Sequence, residues 1–152
     1  MSLKTSLITL CLGFFSFTAY AQEGLHVESL FEGEIVPLAA MRQSTIRGPQ
    51  LSPYKLDIYR SLSFTVDDNV FRTVERLVLQ DTEEAVDLRM ETDGGHLVYA
   101  VITASPLPDG SNRFICFQAV QQKRSWAVTL VYLRGSAEVS DLDKMFNKKS
   151  DQ

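Results

Sequence analysis

The sequence predicts an α+β fold: an antiparallel sheet of about five strands, with one long helix and a short C-terminal helix on one face. Three observations carry this. Residues 54–64 alternate with a period of two, residues 66–85 switch to helical spacing, and from Asp87 onward apolar runs are separated by tight turns.

In "YKLDIYRSLSF", Tyr54, Leu56, Ile58, Leu62 and Phe64 share one side, while Lys55, Asp57, Tyr59, Ser61 and Ser63 share the other. That pattern describes a strand with one buried face. Arg60 interrupts the apolar row, which places it near a sheet edge where its guanidinium reaches water. Next, Val70, Phe71, Val74, Leu77 and Val78 form one helical stripe, and a helix is expected from about Val66 to Ala85. Thr65 with Asp68 reads as its capping box.

"DLRMET" alternates, Asp93-Gly94-Gly95 makes a turn, and "HLVYAVITA" follows, as in a hairpin. Leu88 fits either this first strand or a further helical turn. "HLVYAVITA", "RFICFQAV" and "WAVTLVYL" are apolar on both sides, as central strands are, so something must cover each face. Pro108-Asp109-Gly110 and the polar "QQKRS" join them. In the tail, Ser140 and Asp143 form a second capping box ahead of Leu142, Met145 and Phe146, and Lys148 and Lys149 suit a helix C-terminus.

Residues 1–21 read as a secretory signal peptide: Lys4, an apolar run from Leu7 to Phe17, and the small-x-small ending Ala19-Tyr20-Ala21. The run is shorter than the roughly 20 residues of a spanning helix, so the mature chain is expected to carry no transmembrane segment. Cys11 raises a rival, a lipid-modified cysteine, but Leu10 precedes it and the apolar run continues past it. Cleavage leaves 131 of 152 residues, one domain's worth, and removing Lys4 takes the net charge from −4 to −5. That balance argues against nucleic acid as a partner. Residues 22–53 lack a clean period. They read as a short helical turn and an edge strand near Ser44 to Arg47, or as an N-terminal arm that pairs with another chain. Residues 54–152 form the α+β domain, and 22–152 a single mature unit.

Cys116 is the one thiol left after cleavage, and it lies within "RFICFQAV". A nucleophilic thiol needs a lowered pKa and access, which an apolar central strand does not offer, so it reads as core. A Cys116–His96 pair is the alternative. His26 is given no role. Metal-ligand spacings are missing, and the carboxylates Asp81, Glu83, Glu84 and Asp87 read as a solvated helix end; no metal or cofactor is expected. No catalytic residue is assigned. The candidate binding residues are Trp126 with Lys123 and Arg124, near Arg113 or Arg134, and Tyr59 on the polar face of the first strand. An aromatic beside cations suits a contact surface. The plainer role for Trp126 is to cap the core beneath a solvated hairpin.

"QEGLHVESLFEG", "RGPQLSPYKLDIYRSLSF", "NRFICFQ" and "VTLVYLRG", in this order, resemble a family of small exported Bacteroidetes proteins with no assigned function. The resemblance implies a Gram-negative envelope protein and carries over no functional residue. The expected function is a non-enzymatic interaction or ligand-binding module, periplasmic or extracellular; the alternative is a small hydrolase or thiol enzyme using Cys116 with His96. Two helices on one face would leave the other sheet face to the N-terminal segment, or else to a second copy or an envelope protein, with a homodimer as one form.

Overall fold

The computed structural model describes residues 24–150. The leader reading therefore falls outside the described residues. Six antiparallel strands form one open sheet: β1 (Arg42–Arg47), β2 (Leu56–Val66), β3 (Asp87–Asp93), β4 (His96–Ala104), β5 (Asn112–Gln121) and β6 (Trp126–Gly135). Their spatial order is β1-β2-β6-β5-β4-β3. The expected count of about five is corrected to six by β1. "RQSTIR" holds a single apolar residue, so no period can mark it; it is a strand because its backbone pairs with β2 from Arg42↔Ser63 to Arg47↔Ile58.

Residues 22–53 also supply a short helix α1 (Glu28–Phe31) and 3-10 turns at Leu38–Ala40 and Pro49–Tyr54. Val27, Leu30, Phe31, Val36 and Leu51 are buried, so this segment belongs to the core of its own chain.

The alternation of residues 54–64 breaks at one point. A register shift between Leu56 and Ile58 in the β2–β6 ladder inserts one residue, as a β-bulge does. Leu56 consequently packs on one face of the sheet while Ile58, Leu62 and Phe64 pack on the other. Arg60 does not sit at an edge, because β2 lies between β1 and β6. Its guanidinium stacks over the Phe31 ring at 4.9 Å and donates to the Phe31 carbonyl at 3.0 Å, so α1 accommodates the charge that interrupts the apolar row.

Between Val66 and Ala85 the chain is helical over α2 (Asp68–Glu83). Its N-cap is Asp67, whose carboxylate accepts from the Val70 N–H at 2.9 Å. The expected cap, Thr65, is still in β2. The turn between β3 and β4 has two residues, Gly94 and Gly95, with φ of 58° and 83°, as a primed hairpin turn requires.

The last helix, α3 (Val139–Ser150), is placed differently from expectation. Phe71, Val74 and Val78 of α2 pack with α1 against one sheet face, on Ile115, Phe117, Val128, Leu130 and Tyr132. Leu142 of α3 packs on the other, with Leu51, Leu56, Phe114 and Leu133; Val139 and Met145 border that cluster. The two helices thus cover opposite faces. The face left for a partner in the one-sided arrangement is covered by α3 and the Pro49–Tyr54 turn. The cause is local: Gly135 ends β6 so close to β2 that a Cβ would collide with the Lys55 carbonyl, and the Ala137 N–H donates to that same carbonyl at 2.9 Å. The chain is therefore held against the Lys55 end of β2 before α3 begins. At the start of α3, Asp141, rather than Asp143, accepts from the Glu138 N–H at 2.9 Å. The side chains of Phe146, Lys148 and Lys149 lie outside those described.

Candidate interaction surface

Cys116 stands opposite Val101 and Val131 in the ladders on either side and borders the cluster beneath α3. Burial pushes its thiol up to about 12, far from a thiolate at neutral pH. His96 is elsewhere. Its ring meets Phe71 and Trp126 edge-on at 5.8 and 5.3 Å, in the cluster beneath α2, and its Nδ1 lies 3.3 Å from Glu75 Oε2. The thiol and the imidazole occupy opposite faces of the sheet.

The four candidate binding residues are not brought together. Trp126 is 2% exposed and lies under α2, its indole N–H donating to Asp68 Oδ1 at 2.8 Å. Lys123 and Arg124 are exposed at the tip of the β5–β6 hairpin, where the Gln122 N–H bonds the Ser125 carbonyl at 2.8 Å. Tyr59 is half-buried on the other face, toward the opposite end of β2 and β6, where it pairs with Leu133. A signal for the tryptophan was present in the sequence: Trp126, Val128, Leu130 and Tyr132 alternate along β6, and all four are buried in one cluster.

Sequence reasoning missed two carboxylates of α2. Asp81, grouped with a solvated helix end, is 3% exposed and accepts from the His26 N–H at 2.8 Å, the Val27 N–H at 3.0 Å and His26 Nδ1 at 2.9 Å. Glu75 accepts from the Leu97 N–H at 2.7 Å. Asp81 extends the buried stripe Phe71, Val74, Val78, which was the available signal. Together the two carboxylates tie the N-terminal segment and β4 to α2.

A shallow cavity of about 230 Å³ opens beside Asp81, lined also by Glu84, Ser105 and Arg113. Arg113 donates Nε and Nη2 to the Ser105 carbonyl at 3.1 and 2.9 Å. Asp81, Ser105 and Arg113 in its wall are therefore engaged in holding the fold. Among the described residues no group of His, Cys, Asp and Glu could hold a metal ion.

The open parts of the sheet are its edges. All seven residues of β3 are exposed, and so are five of the six in β1. Leu88 and Met90 stand 36% and 41% exposed on the α2 side of β3. An edge strand presents unpaired backbone N–H and C=O groups, which an extended segment of another chain can complete by strand addition.

Fold and surface together define an open-sheet α+β protein whose sheet is most accessible at its two edge strands. The chain belongs to a family of unknown function, DUF6108, whose model matches residues 14–146. No curated protein and no solved structure matches it. Among the described residues no helix is long and apolar enough to cross a membrane.

Proposed function

We propose that this chain is an exported, non-enzymatic interaction module of the bacterial envelope, from a Bacteroidetes source, and that it works by presenting sheet edges to protein partners. The observation that carries this reading is β3, a seven-residue edge strand exposed along its whole length, with Leu88 and Met90 beside it. The raised thiol of Cys116 supports the non-enzymatic half, because an attacking thiol must ionise near ambient pH. The leader pattern of residues 1–21 supports export.

The test has two arms. N-terminal sequencing of the chain recovered from the periplasm should begin at residue 22; an intact Met1 in the cytosol would overturn export. Wild-type chain immobilised in envelope extract should capture a saturable protein partner, and a Leu88→Lys/Met90→Lys variant should lose it. Capture unchanged in that variant would remove the edge from the reading.

A further inference from the structure

The two edges of the sheet are unlike in charge. β3 carries Asp87, Glu91 and Asp93 against one arginine, Arg89, which is engaged by Asp143 of α3. β1 carries Arg42 and Arg47 and no acid. We propose that the partner at each edge is a second copy of this chain, with β3 of one molecule pairing antiparallel to β1 of the next, so that copies join head to tail. This deepens the interaction-module reading and rests on it.

The strand directions permit the pairing. Every neighbouring pair in the six-stranded sheet is antiparallel, so the two outermost strands run in opposite directions. A copy shifted sideways in the plane of the sheet therefore presents β1 antiparallel to β3, with its α2 face on the same side. An odd number of strands would have made that contact parallel.

Charge selects the same pairing. Two β3 edges would bring two strands of net negative charge together, and two β1 edges two strands of net positive charge. Like charges directly opposite one another destabilise a ladder, while opposite charges support it. A single-sign edge is protected against its own kind and left open to the other.

The faces also agree. Arg42 pairs with Ser63, next but one to Arg60's neighbour Ser61 on the α3 side, and Glu91 pairs with Tyr99 on that same side. The register that sets Arg42 across from Glu91 sets Thr45 across from Leu88 and Gln43 across from Met90, on the α2 side. It covers both exposed apolar side chains and places no like charges directly opposite. Such a contact is heterologous: each added copy leaves one edge of each kind open, and assembly continues past two.

Sedimentation velocity of the full chain, expressed with its leader and recovered in soluble form, tests this over a range of concentrations at low and high salt. The wild type should form a series extending beyond the dimer and weakened by salt. Arg42→Glu and Glu91→Lys should each sediment as monomers, with far-UV circular dichroism unchanged. Their equimolar mixture should assemble again, because each then meets opposite charge at both edges, and the double variant should assemble alone. A wild type that stays monomeric, one that stops at a dimer, or single variants that assemble as it does would each overturn the pairing. A monomer that still captures an envelope protein through Leu88 and Met90 would overturn the pairing and spare the interaction reading.

Discussion

Trp126 lies flat against Phe71, ring centroids 3.9 Å apart and planes inclined by 6°. The contact joins the first residue of β6 to the first buried turn of α2, and Asp68 accepts the indole N–H from the same helix. An aromatic at this junction serves both the core and the orientation of the helix.

Trp126→Ala should therefore cost about 3–5 kcal/mol, as large aromatic truncations in cores do. Trp126→Phe retains a ring for Phe71 and loses the bond to Asp68, with an expected cost of about 1 kcal/mol. Urea unfolding followed by far-UV circular dichroism measures both, and equal costs would mean that stacking is not the main contribution.

Asp81 holds three N–H groups at the junction of α2 and the N-terminal segment. Asp81→Ala leaves the backbone N–H groups of His26 and Val27 without this acceptor, and bonds to a charged acceptor are worth about 1.5–3 kcal/mol each way. We expect a loss in that range together with faster hydrogen exchange at the His26 and Val27 amides. Unchanged exchange there would show that the segment is held by its apolar contacts alone.

Cys116 and Tyr132 are both pushed up to about 12 by burial, from ordinary values of 9.0 and 10.0. In the folded chain both keep their protons at a pH where the unfolded chain has released them. The unfolded state then binds fewer protons, so stability is fully present below pH 9 and falls as pH rises from 9 toward 12. Cys116→Ala should flatten that decline by about one proton from pH 9 upward, and Tyr132→Phe should flatten it from pH 10. Unfolding midpoints measured from pH 8 to 11 give the slopes; a variant slope equal to the wild type's would mean that the group titrates alike in both states.

Gly135 abuts the backbone of Lys55 and Leu56. Gly135→Ala should cost about 1–3 kcal/mol through overpacking against backbone that has little freedom to yield. Gly24 has no heavy atom near its missing Cβ but a φ of 80°, so Gly24→Ala tests backbone strain alone and separates the two effects.

Strands β3 to β6 were legible because each carries its own apolar alternation or run. "HLVYAVITA", "RFICFQAV" and "WAVTLVYL" became β4, β5 and β6, and "DLRMET" lies within β3. β1 was harder to read, since an edge strand of mostly polar residues owes its conformation to the ladder it joins. Leu56 illustrates the same dependence at one residue: alternation assigned it to the face of Ile58, and the bulge put it on the other. The candidate surface was legible only as separate residues. Trp126, Lys123, Arg124 and Tyr59 are distributed between a core, a hairpin tip and the opposite face, because distance along two strands and the side of a sheet depend on pairing.

By itself the sequence determined the α+β class, the polar turns, and the packing of Cys116 among apolar neighbours, for these follow from local pattern and side-chain chemistry. Tertiary structure alone decided that α2 and α3 cover opposite faces, that Asp81 is buried, and that an acidic strand and a basic strand form the two edges. Those outcomes depend on strand order and on the approach of Gly135 to Lys55, contacts between residues far apart in the chain that no local pattern encodes.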